Sequence, residues 1–204
     1  PVVIASSIVM RLQTLVSRAI DPQEPAVVTV GSFQAGSKHN IIPDEARLQI
    51  TVRSYADATR QHLLEGIARI ARGEAVAAGM PEDRMPRVVV QQVYTPATFN
   101  TAELTTKVMS GLQTRFAGRV SEVPAAMAGE DFSQYYRADR ENVESLIFWV
   151  GGVPQDRWEK AQKGELSLPS LHSPFWAPDA PVVIATATEA LTAATLDLLA
   201  KKGG

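Results

Sequence analysis

The segment Leu171-His172-Ser173-Pro174-Phe175-Trp176-Ala177-Pro178-Asp179 holds one of three histidines in the chain, on a Pro-punctuated turn ahead of an Ala/Leu-rich stretch. A neutral imidazole nitrogen is a borderline-soft donor, so a side chain displayed on such a turn suits a divalent metal ion. Catalytic zinc sites use three protein ligands, so His172 alone does not make one. The chain has no cysteine, which removes thiolate ligands, thiolate nucleophiles and disulfides together. The other two histidines, His39 and His62, fall in polar surroundings and are expected at the surface.

The elements that must position such residues fall into two groups. Ile4, Ile8, Leu12 and Leu15 recur at helical spacing, predicting a helix from Pro1 to about Ala19 that ends before Asp21-Pro22 and Pro25. No capping residue precedes Pro1, and the chain reads as though cut at the start of a helix. Alternating β-branched runs predict strands at 26–33 and 46–53, with Leu48, Ile50 and Val52 on one face and Arg47, Gln49, Thr51 and Arg53 on the other. A second helix is expected from Asp57 or Ala58 to about Ala78, with Leu63, Ile67, Ile70 and Ala71 inward and Gly79 as its stop. A third strand is expected at 87–94. This α-β-β-α-β order is a ferredoxin-like unit lacking its first strand, which would leave two backbone ladders unpaired.

Beyond Pro96 the pattern changes. A helix capped by Asn100 or Thr101 is expected to run to about Phe116, with Leu104, Val108 and Leu112 inward. A short strand is expected at 120–123 and a short helix over 130–136. The apolar run 145–152 suits a strand covered on both faces, 154–169 reads as a loop, and a closing helix is expected from Pro181 to about Lys202. The class is α/β, with a boundary near 95–100.

Composition narrows the functional classes. A net charge of −2, 45% hydrophobic and 21% charged residues describe a globular chain without a basic footprint for nucleic acid or anionic membrane. No apolar run is expected to approach the ~20 residues of a membrane span, and a cytoplasmic setting is expected.

Three motifs stand in order: Gly36 through Asn40-Ile41-Ile42-Pro43-Asp44 to Thr51-Val52-Arg53, then Ala128-Gly129-Glu130-Asp131-Phe132, then Leu171-His172-Ser173-Pro174. Their order and spacing resemble the aminoacylase, hippurate hydrolase and indoleacetyl-amino-acid hydrolase family, metal-dependent amidohydrolases related to dinuclear zinc carboxypeptidases. The resemblance covers nearly the whole chain but only the C-terminal half of such a protein. It implies that 1–96 is most of a lid and dimerisation domain, and that 97–204 is the C-terminal part of the catalytic domain.

The resemblance further implies that His172 is the last metal ligand and that Asn40 and Arg53 are substrate-clamping residues of the lid. It places Gly129 in a turn bordering the substrate pocket. The chemistry is reasonable: a guanidinium grips a carboxylate with two parallel bonds, a side-chain amide donates to an oxyanion, and a Gly turn at a helix start presents backbone N–H groups. Glu130 and Asp131 are equally well read as first-turn acids favoured by the helix dipole.

Two divalent ions (zinc, manganese, cobalt or nickel) would serve the parent protein, polarising the amide carbonyl and generating hydroxide. The remaining ligands and the general-base glutamate of the family precede the point where this chain begins. No catalytic residue can therefore be assigned, and this chain by itself is expected to be inert and to hold no metal tightly. The parent is expected to cleave the amide bond of N-acyl amino acids such as hippurate, as a homodimer formed through the lid and completed by the N-terminal half of its catalytic domain. Two alternatives are a lid and dimerisation module without catalysis of its own, and a carboxypeptidase of the same superfamily.

Overall fold

The computed structural model describes residues 1–200. It divides into two compact units, one of 1–98 with 125–134 and one of 99–124 with the described residues from 135 onward.

In the first unit the helical and alternating patterns meet in one core. Helix α1 (Val2–Ala19) buries Ala5, Ile8, Leu12 and Leu15, the stripe expected from the sequence. Strands β1 (Ala26–Ala35) and β2 (Ala46–Ser54) form an antiparallel hairpin. Helix α2 (Asp57–Ala77) buries Leu63, Gly66, Ile67, Ile70, Ala71 and Ala75. One cluster joins α1 and α2 with the inward strand residues Val28, Val30, Leu48, Ile50 and Val52. Fully burying each of Leu12, Leu15 and Leu63 contributes about 1.5–3 kcal/mol, so two helices packed on one hairpin face make a real core. The register slips by one residue at Gly31, between the Val30–Ile50 and Ser32–Gln49 pairs, which is a β-bulge. Helix α2 stops as expected, with Gly79 at φ +73° closing it where an L side chain would be strained.

The expected third strand does not form. Residues 87–94 follow a single 3-10 turn at Glu82–Arg84 and join no ladder, and the sheet consists of β1 and β2 alone among the described residues. A strand exists only against a neighbouring backbone, and in the ferredoxin-like arrangement the strand beside this segment is the first one, which the sequence pattern lacks. Val89 and Val93 are left exposed accordingly.

In the second unit, helix α3 (Ala102–Arg115) packs Val108, Leu112 and the adjoining Phe116 against Ala190 of helix α6 (Ala180–Leu199), with Leu104, Leu146 and Phe148 around them. The short strand expected at 120–123 and the strand expected at 145–152 are likewise outside any ladder. The latter is not covered on both sides: Leu146 and Phe148 face the cluster, whereas Ile147 is 40% and Trp149 64% exposed. It is held to the segment ahead of α3, where the Asn100 side-chain amide donates to the Ile147 carbonyl and accepts from the Ile147 N–H, both at 2.9 Å, and at its far end the Gly152 carbonyl accepts from the Asp179 N–H at 3.0 Å. Asn100 is thus spent as a surrogate strand rather than as a helix cap. Thr101 holds the cap position but turns its hydroxyl to the Ser145 carbonyl at 3.3 Å.

The expected loop 154–169 contains helix α5 (Gln155–Gln162), started after Pro154, whose fixed φ suits a helix entry. The short helix after the Gly129 turn, α4 (Ser133–Ala138), begins later than expected. The end of the closing helix expected at Lys201 and Lys202 lies outside the described residues.

One further expectation is corrected. Both α1 and α6 have the length and apolar composition of a membrane-crossing helix. The apolar stripe of α1 is consumed by the core of its own unit, which accounts for its composition. In α6 Ala190 is buried while Val182, Ile184, Leu191 and Leu196 are exposed.

Candidate functional site

The β1–β2 hairpin sets the positions of Asn40 and Arg53. Pairing of Ala35 with Ala46 brackets the connection that contains Asn40, and pairing of Val27 with Arg53 marks the opposite, open end. Seven residues of strand between Ala46 and Arg53 amount to about 23 Å at 3.3 Å each. Asn40 lies in an exposed turn of that connection, beside a concavity lined by Gly36, Ser37, Lys38, Ile41, Pro43, Asp44 and Glu45. Gly36, at φ +65°, turns the chain out of β1, and a β-carbon there would meet the Pro43 ring at 3.5 Å.

Arg53 alternates outward on β2, as its strand position dictates. Its Nη1 donates a hydrogen bond to the Met127 carbonyl at 2.5 Å. The structure therefore brings Arg53 together with the turn that carries Gly129. Thr95 and Thr98 support the same turn: a β-carbon on Gly129 would touch the Thr95 methyl at 3.4 Å, and the Thr98 hydroxyl reaches the Glu130 carbonyl at 3.4 Å. Sequence reasoning missed Thr95, Thr98 and Met127, because a backbone-carbonyl contact across 74 residues leaves no mark on residue type.

Gly129 differs from expectation in two respects. Its φ is not positive, so the conformation does not itself demand glycine. It also precedes α4 by four residues. The Ser133 and Gln134 N–H groups donate to the Glu130 and Asp131 carbonyls at 3.2 and 3.0 Å, so Gly129 is not part of that helix start. Glu130 and Asp131 consequently lie ahead of the helix rather than in its first turn.

His172 is exposed on the turn ahead of α6, in the second unit. The turn is closed by the Ser173 N–H donating to the Ser170 carbonyl at 2.9 Å and the Trp176 N–H donating to the Ser173 carbonyl at 3.0 Å. Among the described residues no three His, Asp or Glu side chains gather closely enough to hold an ion. The residues present do not compose a metal site by themselves. His39 and His62 are exposed, as expected.

Residues 1–78 match the family described as the peptidase dimerisation domain. Over 150 residues the chain is 33% identical to N-acetyldiaminopimelate deacetylase of Bacillus subtilis, covering 74% of this chain and 38% of that protein. Over 158 residues it is 30% identical to N-acetylcysteine deacetylase of the same organism, covering 78% and 39%. Among solved structures, an aminohydrolase so described from methicillin-resistant Staphylococcus aureus superposes with a TM-score of 0.73 at 25% identity, over 97% of this chain and 46% of the other. A Bacillus subtilis protein described as a dinuclear metal-binding peptidase of the M20 family superposes at 0.66 and 21% identity, over 98% and 46%, which speaks for the fold. Residues 1–78 are thus similar to the peptidase dimerisation domain, and the chain as a whole is similar to a part of these deacetylases. It spans about two-fifths of the length of these curated relatives.

Proposed function

We propose that this chain is the lid and C-terminal catalytic portion of a metal-dependent amidohydrolase that removes the acyl group from N-acyl amino acids. The observation that carries the reading is the Arg53 guanidinium at the open end of β2, fixed beside the Gly129 turn. A guanidinium so mounted has the fork geometry that grips a carboxylate, and every N-acyl amino acid presents a carboxylate near its amide. The similarity to two deacetylases of N-acetylated amino acids supports that substrate class.

In this reading residues 1–96 form the lid and dimerisation domain and 97–204 the end of the catalytic domain. Asn40 supplies an amide donor to the oxyanion, Arg53 holds the carboxylate, and Gly129 borders the pocket. With a hairpin's length between them, Asn40 and Arg53 serve one small substrate together across a pair of copies, joined through the lid as the peptidase dimerisation match suggests. His172 is one donor to a divalent ion whose other donors would come from residues outside this chain. The setting is the cytoplasm, where a cysteine-free protein forgoes nothing. The acyl group is small, acetyl or benzoyl, so hippurate remains a substrate to try beside the N-acetyl amino acids.

The test is hydrolysis by the full-length parent, assayed with N-acetyl amino acids, hippurate and unblocked dipeptides, before and after chelation and re-addition of zinc, manganese, cobalt or nickel. Release of free amino acid from the acylated substrates, lost on chelation and restored by metal, is expected. Cleavage of dipeptides alone would replace this reading with a carboxypeptidase. No cleavage of any substrate would leave a lid and dimerisation module.

A further inference from the structure

We propose that Arg53 is a positioning residue as well as a carboxylate receptor: it pins the Gly129 turn to the end of strand β2, so that turn and receptor move as one body. The receptor half of this statement rests on the function proposed above; the pin rests on geometry alone.

Three contacts converge on the turn from the first unit. Arg53 Nη1 donates to the Met127 carbonyl at 2.5 Å, the Thr95 methyl stands where it would touch a β-carbon on Gly129, and the Thr98 hydroxyl reaches the Glu130 carbonyl. These bring residues 125–134 into the compact unit of 1–98, although the chain on both sides of them belongs to the other unit. Of the three, only Arg53 brings a charged donor, and charge-assisted bonds are the stronger kind. A guanidinium has five N–H donors in a fixed fork. One of them on Met127 leaves others for a carboxylate, and the planar fork fixes the direction in which they point. Lysine, a rotatable point charge, could keep the charge but not this geometry.

Hydrogen exchange at the Ser133 and Gln134 amides, which close onto the Glu130 and Asp131 carbonyls, tests the pin without reference to catalysis. Arg53 is exposed on its strand, so its replacement should spare the fold; unchanged exchange in α1 and α2 checks that. Arg53→Ala should accelerate exchange at Ser133 and Gln134 roughly tenfold, the equivalent of one charge-assisted hydrogen bond. Arg53→Lys should fall between, and Thr98→Val should give a smaller acceleration that adds to that of Arg53→Ala. Wild-type exchange at both amides in Arg53→Ala would overturn the pin. In the full-length parent, Arg53→Lys should raise KM and also lower kcat, because receptor and turn are both displaced. A change in KM alone would keep the receptor and reject the pin, whereas altered exchange with unaltered kinetics would keep the pin and reject the receptor.

Discussion

Gly66 of α2 lies directly against Leu15 of α1: a β-carbon at Gly66 would stand inside the van der Waals contact of Leu15 Cδ2 and 3.4 Å from its Cδ1. Leu15 is 2% exposed and sits in the core shared by α1, α2 and the hairpin. Gly66→Ala therefore sets two effects against each other. Alanine gains about 1 kcal/mol of helix propensity over glycine, while overpacking a filled core costs about 1–3 kcal/mol. The clash wins, and the melting temperature followed by circular dichroism should fall. The double change Gly66→Ala with Leu15→Ala should recover part of the clash but expose a cavity. A rise in stability for Gly66→Ala alone would show that α1 and α2 can move apart.

The same helix pair is bridged at its surface. The Glu74 carboxylate accepts from the Ser7 hydroxyl and from Arg11 Nε at 3.1 Å. The Ser7 bond first, and Arg11 next, hold the Glu74 pKa below the usual carboxylate range. A depressed folded-state pKa contributes stability above the unfolded value and loses it as pH falls through the folded one. Wild-type stability should therefore decline below about pH 4.5, and Glu74→Gln should flatten part of that decline while lowering stability at neutral pH. Melting temperatures from pH 3 to 7 at low salt measure this. Superimposable profiles for wild type and variant would remove Glu74 from the account.

Asn100 replaces a strand neighbour for Ile147, so removing its amide should loosen the 145–150 segment. Asn100→Ala should cost about 1–2 kcal/mol by unpairing two backbone groups. Asn100→Asp should be no better, since a carboxylate oxygen would face the Ile147 carbonyl. All three tryptophans of the chain lie at 149–176, so intrinsic fluorescence in a urea titration reports on this part directly. An unmoved midpoint would mean that the paired amide contributes nothing.

Ser133 and Ser145 bury their hydroxyls with no partner among the described residues. An unpaired buried hydroxyl is a cost that alanine removes without opening a large cavity. Ser133→Ala and Ser145→Ala should be neutral or stabilising by up to about 1 kcal/mol in urea unfolding. Destabilisation beyond that would reveal a partner the hydroxyl finds in solution.

His172 should bind zinc weakly in this chain, because one exposed imidazole offers no chelate. Calorimetric titration should give no tight, saturable binding that His172→Ala abolishes. Tight binding lost in that variant would assign further ligands to this chain.

The amino-acid sequence by itself determined the helices α1, α2 and α3, the hairpin, and the inward stripes of Leu12, Leu63 and Leu112, since burial periodicity is a local property of the chain. It also carried the family likeness, because Asn40, Arg53, Gly129 and His172 stand in recognisable order. Tertiary structure decided what the residues at 87–94 and 145–152 became. Their β-branched and aromatic composition reads as strand, yet a strand is a relation between two backbones, and neither segment has a partner strand among the described residues. Tertiary structure also decided that Arg53 meets Met127 and that Asn40 lies at the far end of the hairpin. Alternation along β2 fixes which way a side chain points, but only the folded path of a distant segment fixes what it meets.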